Sequence, residues 1–128
     1  MSKRAPTNAE LEILRVLWQR GPCTVRDVHE SLEHARPVGY TTVLKLLQIM
    51  VEKGLVRRNE SARSHVYAAA ASQRATQRRM MADLVRRVFG GSTLGLVLYA
   101  LESTPATAPE LDQIRRLLDE KNGGSTWS

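Results

Sequence analysis

The sequence predicts a mainly α protein with one small β-hairpin, made of a mixed N-terminal part and an all-helical C-terminal part. Three observations carry that expectation. Up to Gly54, apolar residues recur at three- and four-residue steps between capping signals, as amphipathic helices require. Two short segments, 55–58 and 65–68, then flank a polar stretch and read as strands joined by a turn. From Ser72 onward only helical periodicity is present.

The elements follow in order. Thr7-Asn8-Ala9-Glu10 has the form of a capping box, in which the hydroxyl and the carboxylate each satisfy an orphan amide at a helix start. The first helix buries Leu11, Leu14, Leu17 and Trp18 on one face and stops at Gly21-Pro22. Thr24-Val25-Arg26-Asp27 repeats the box with a shorter acid and opens a second helix to about Glu33, with Val25, Val28 and Leu32 inward. Arg36-Pro37-Val38-Gly39 turns the chain into a third helix, which ends at Gly54, the usual residue for a left-handed stop. After the hairpin, Ser72 caps a long helix with an apolar stripe of Ala75, Met80, Met81, Leu84, Val85, Val88 and Phe89, closed by Gly90-Gly91. Ser92-Thr93 opens 94–101, a segment apolar almost all round that must be buried on several sides. Thr107-Ala108-Pro109-Glu110 starts the last helix, whose stripe is Leu111, Ile114, Leu117 and Leu118. These boundaries divide the chain into a domain over 7–71, a helical element over 72–121 and a disordered tail over 122–128.

Bulk properties narrow the function. A hydrophobic fraction of 42% and a charged fraction of 25% describe a folded protein. The net charge is +6. Residues 1–71 hold eleven basic and seven acidic groups, hence +4, and the remainder holds eight and six, hence +2. A polyanionic partner suits that balance, although soluble proteins without one share it. A single cysteine, Cys23, allows no internal disulfide and reads as a small buried side chain. His29 and His34 have no partners at metal-ligand spacing and read as surface residues. Neither a signal peptide nor a membrane-spanning run is expected, which places the protein in the cytoplasm without stable membrane association. No His-Glu-x-x-His, Cys-x-x-Cys, Gly-x-Ser-x-Gly or phosphate-cradling glycine loop is present, so neither an enzyme nor a bound cofactor or metal is expected.

The third helix has two faces. At about 100° per residue, Val43, Leu46, Leu47 and Met50 fall on one side. Thr41, Lys45, Gln48 and Glu52 fall opposite, flanked by Thr42 and Ile49. Hydroxyl, ammonium and amide groups in that arrangement can reach phosphates and base edges in a DNA major groove, while an ordinary solvated face has the same pattern. A basic-tipped hairpin has a plain solvated loop as its alternative, but directly after a third helix it reads as the wing of a winged helix-turn-helix, with Arg63 able to enter a minor groove or rest on a phosphate. Arg15, Arg26, Lys53, Arg57 and Arg58 are further candidates to lie near phosphates. The three C-terminal helices have too little of their own chain to cover their stripes. A second copy of the same segment, forming a symmetric dimer, is the simplest cover, and folding back on the N-terminal domain is the alternative.

The order of elements resembles the penicillinase-repressor family of winged-helix transcription regulators, the BlaI, MecI and CopY type. The resemblance spans about residues 7–121. It rests on Glu10-Leu11-Glu12-Ile13-Leu14 with Leu17-Trp18, on Thr24-Val25-Arg26-Asp27-Val28, on Tyr40-Thr41-Thr42-Val43-Leu44, and on Glu52-Lys53-Gly54-Leu55-Val56 followed by Arg63 and Tyr67. It implies a homodimeric repressor on dyad-symmetric operator DNA, with the C-terminal helices as dimerisation element. By motif, Tyr40, Thr41, Thr42, Lys45 and Arg63 match DNA-contacting positions, and Gln48 joins them from the face itself. The resemblance also implies a membrane sensor peptidase as partner in antibiotic-responsive members, with the repressor cleaved in its dimerisation helices.

The chain departs from the family pattern at several places. Ile49-Met50 stands where arginine and leucine are frequent, Lys45 where threonine is common, and Ala62 where a glycine usually precedes the wing arginine. No Asn-Phe pair occurs around Leu98-Tyr99-Ala100-Leu101, and no cysteine follows Cys23, which removes the copper-sensing motif of one branch. Two readings of other classes stay open beside a specific repressor: a nonspecific architectural DNA binder and a winged-helix protein-interaction module.

Overall fold

A computed structural model describes residues 5–61 and 63–126. Its elements run α1 (Asn8–Arg20), α2 (Val25–Glu33), α3 (Tyr40–Lys53), β1 (Val56–Asn59), β2 (Val66–Ala69), α4 (Gln73–Val88), α5 (Thr93–Ser103) and α6 (Ala108–Thr126). The mainly helical class with one hairpin is as the sequence predicts. By its internal packing the chain divides into two compact units, one ending at Ala82 and the other beginning at Asp83. The division falls inside α4, whereas the sequence changes character at Ser72.

In the first unit, local chemistry starts and stops each helix. Thr7 accepts from the Glu10 amide and Glu10 accepts from the Thr7 amide, and Thr24 and Asp27 form the same reciprocal pair before α2. The Thr24 amide holds the Asp27 carboxyl below its usual range. A depressed carboxylate contributes stability above its unfolded pKa of about 4, and that contribution is lost as pH falls through the lower folded value. Asp27→Asn is therefore expected to lower the thermal midpoint at pH 7 and to converge with the wild type in scans taken toward pH 3. A gap that stays constant down to pH 3 would contradict this account of the cap.

Gly54 has φ 79°, and its amide and that of Leu55 return to the carbonyls of Val51 and Met50 at 3.0 and 2.9 Å. This is a Schellman ending. Because Leu55 is occupied there, β1 begins at Val56 and not at Leu55, and both strands lie one residue later than the sequence suggests. Val56 pairs with Ala69 and Asn59 with Val66 in antiparallel register. Cys23 adds a bridge to Tyr67 through two backbone bonds of 2.9 and 2.7 Å, which fastens the α1–α2 connection to the hairpin. A single residue pair leaves no alternation to read, so the sequence gives no sign of it.

The core draws on every element of this unit up to β2: Ile13, Leu14, Val16 and Leu17 from α1, Val25, Val28 and Leu32 from α2, Val43, Leu47 and Met50 from α3, with Cys23, Val56 and Tyr67. Trp18 is half-buried and donates its indole N–H to the Ala71 carbonyl at 3.0 Å. Burial pushes the Cys23 thiol pKa up, so it stays protonated and packs as the small apolar group the sequence suggests.

The second unit is different in kind. No residue of α5 is buried. Leu94 is 66% exposed, Leu98 50% and Tyr99 61%, and Leu117 and Leu118 of α6 are exposed as well. Ser92 and Thr107 cap α5 and α6 as expected. The last helix runs to Thr126, so the tail expected to be disordered is helical over 122–126, while Trp127 and Ser128 lie outside the described residues. Polar, glycine-containing composition suggested a loose end, but a helix stops at glycine only when the chain adopts a stop conformation. Gly123 does not have the positive φ that Gly54, Gly90 and Gly91 have. No single helix among the described residues is long and apolar enough to cross a membrane.

Candidate nucleic-acid interface

α3 presents the polar face expected of it because its opposite face is fixed. Val43, Leu47 and Met50 are fully buried, and α2 and α1 pack against that side. Tyr40, Thr41, Thr42, Lys45 and Gln48 are all exposed, and Ile49 at their margin is half-buried. The helix is anchored at its far end by an ion pair that the sequence does not reveal. Lys53 Nζ lies 2.8 Å from Glu10 Oε1, and the Glu10 side chain is only 2% exposed. Glu10 thus closes the α1 capping box and ties the end of α3 to the start of α1, 43 residues apart. Lys53, a candidate phosphate neighbour, thus has its ammonium group set against a buried carboxylate.

The hairpin supplies the second part of the surface. Asn59 Oδ1 accepts from both the Ser61 amide and the Ser61 hydroxyl, which starts the turn at the tip. Arg63 is exposed beyond it. It stands on a different element from the five α3 residues, and the geometry of the neighbouring Ala62 lies outside the described residues. Arg58 is held within the hairpin: the Tyr67 side chain and Glu60 engage its guanidinium, raising its pKa, with Glu60 Oε2 at 2.8 Å from Nε. Arg15, Arg26 and Arg57 are exposed and make no ion pair among the described residues.

Two residues that sequence reading set aside help to place this surface. His29 is half-buried and not a surface group. Its Nε2 is 2.8 Å from the Val38 carbonyl oxygen, 3.4 Å from Glu33, and its ring meets Tyr40 edge-on. Arg36, in the turn before α3, binds Glu12 of α1 at 2.6 Å and lowers the pKa of that carboxyl. Only the i,i+4 pair of His29 with Glu33 follows from spacing, because Val38, Tyr40 and Glu12 lie outside the helix or turn of their partners.

The described residues hold no cluster of three or more His, Cys, Asp or Glu that could bind a metal. The surface depressions are shallow; one is lined by Trp18, Pro22 and Ala71, another by Leu11, Arg15 and Arg36. The chemistry on offer is that of an exposed helix face with hydroxyl, amide and ammonium groups, and of a hairpin loop that carries the exposed Arg63. Comparison with known proteins agrees with that geometry. The sequence model of a family described as Penicillinase repressor matches residues 6–120. The chain belongs to the penicillinase repressor family. Its relatives include the transcriptional regulator BlaI of Mycobacterium tuberculosis, 34% identical over 117 residues that make up 90% of this chain and 83% of that one. The methicillin resistance regulatory protein MecI of Mammaliicoccus sciuri is 19% identical over 90% of this chain and 94% of its own length. The penicillinase repressor of Bacillus licheniformis is 21% identical, covering 89% of each. The relatives are named as regulators and repressors, not as enzymes, and the helix-turn-helix with its hairpin wing fits the winged-helix domain of the family.

Proposed function

We propose that this chain is a transcriptional repressor that binds operator DNA sequence-specifically, as a homodimer on a dyad-symmetric site. The observation that carries the reading is the polar face of α3, where Tyr40, Thr41, Thr42, Lys45 and Gln48 are exposed while Val43, Leu47 and Met50 on the back are fully buried. A rigid helix displayed in this way enters a major groove, and Arg63 on the wing reaches backbone or minor groove. Arg15, Arg26 and Arg57 add phosphate attraction. Membership in a repressor family supports the same conclusion.

Dimerisation follows from the second unit. The apolar side chains left exposed on α4, α5 and α6 of a single chain are the surface that a second copy would cover. Two linked reading units then bind two half-sites, and each raises the effective concentration of the other. Cleavage of the chain within α5 would end that linkage and so lower operator affinity, which makes proteolysis by a sensor peptidase a fitting inactivation step. Repression of this kind takes place in the cytoplasm, where the DNA is.

Lys45→Ala tests the reading at its most informative residue. If Lys45 contacts a base, operator affinity should fall by about 1–3 kcal/mol and preference at one position should relax. If it contacts only phosphate, binding to all sequences should weaken alike and the salt slope should drop by about one. Unchanged binding, measured by titration at two salt concentrations, would remove Lys45 from the interface.

A further inference from the structure

The first turn of α3 is held differently from those of the other helices. Thr7, Thr24, Ser72, Ser92 and Thr107 each accept a hydrogen bond from an amide of the helix they precede. Gly39, in the same place before α3, has no side chain to do this. Its backbone, at φ −74° and ψ 147°, is an ordinary extended conformation that imposes no fixed angle on the helix that follows.

The hold comes from α2 instead. His29 Nε2 lies 2.8 Å from the carbonyl oxygen of Val38, the residue before Gly39. Its ring packs edge-on to Tyr40, the residue after, with centroids 5.8 Å apart and planes at 74°. A carbonyl oxygen can only accept, so Nε2 carries the hydrogen and donates it. Glu33, one turn further along α2, places Oε2 3.4 Å from the same nitrogen and favours a hydrogen there. The imidazole is 21% exposed, so most of its surface is committed to these neighbours.

We propose that His29 is a positioning residue for DNA reading: its bond to Val38 and its contact with Tyr40 fix where the first turn of α3 sets Thr41, Thr42 and Lys45 against base edges. The proposal rests on the reading of α3 as the DNA-contacting helix. Base-edge hydrogen bonds are directional and short, whereas attraction to phosphates tolerates displacement. Loosening the first turn therefore erodes discrimination between sequences more than overall affinity.

The test compares the full-length wild type with His29→Leu, which keeps bulk but removes the donor, and His29→Gln, whose amide nitrogen can occupy the place of Nε2. Each protein is measured for backbone amide exchange at Val43 and Leu44 without DNA, for thermal midpoint, and for the ratio of affinities for operator and unrelated duplex. One lost hydrogen bond predicts about fivefold faster exchange and about a fivefold smaller ratio in His29→Leu. The thermal midpoint should stay close to that of the wild type, and His29→Gln should recover both losses. Unchanged exchange in His29→Leu, or equal loss of the ratio in both variants, overturns the proposal. A wild type that discriminates, with a ratio that survives His29→Leu, overturns the role of His29 alone. A wild type that binds both duplexes alike overturns the reading of α3, and the role of His29 with it.

Discussion

Replacing Leu94 and Leu98 together by glutamate is expected to leave each chain folded, to convert the protein to a 14.3 kDa monomer, and to lower operator affinity about a hundredfold or more. The two side chains lie one turn apart on α5 and are 66% and 50% exposed in a single chain, so neither belongs to a buried core of that chain. Glutamate is a good helix former and should keep α5 intact. Against the apolar surface of a second copy, however, four carboxylates would be buried without partners, at a cost of several kcal/mol. Sedimentation gives the mass and circular dichroism the helix content. A double variant that remains dimeric and binds operator as the wild type does would show that α5 is not the dimer surface.

Glu10→Ala is expected to be strongly destabilising to the first unit, by about 3 kcal/mol or more. It removes the carboxylate from the capping box and leaves the partly buried Lys53 ammonium without its partner. For a domain of this size, the thermal midpoint should fall by roughly 10 °C or more. Glu10→Gln retains the cap acceptor and should cost less, and adding Lys53→Met to it should recover part of the loss because no unpaired charge remains. If Glu10→Ala and Glu10→Gln were equally mild, the pair would not anchor α3. Operator binding should follow the same ranking, because the pair ties the end of α3 to α1.

The sequence discloses what is encoded within a turn or two of helix. The boxes at Thr7, Thr24 and Thr107 join residues three apart, and Gly54 marks its own stop, so the limits of α1, α2, α3 and α6 are legible at their starts or ends. The exposed face of α3 is legible for the same reason, since a 3.6-residue period separates Lys45 from Leu47 without knowledge of the core. Contacts between elements are not legible. His29 reads as a lone surface histidine because Val38 and Tyr40 reach it only through the turn, and Lys53 reads as a free cation because Glu10 is 43 residues away. The Cys23 bridge to Tyr67 has one residue pair and therefore no period. In the last helix, composition misleads: the residues at 122–126 are those of a loose end, yet Gly123 continues the helix.

α5 is a case between these. Its apolar character is evident from 94–101, yet no residue of it is buried. The inference of a second copy is thus drawn from uncovered surface, and the double glutamate variant addresses it directly.

The role proposed for α3 is to read a particular DNA sequence. Its most direct test is titration of the purified protein against the intergenic DNA upstream of its own gene and against an unrelated duplex, each at two salt concentrations. Specific reading by α3 should give a preference of about a thousandfold or more for the upstream DNA, with affinity for both falling as salt rises. Equal affinity for both duplexes would contradict it, and salt-independent binding, or no binding to either at low salt, would point instead to a protein partner for the α3 face.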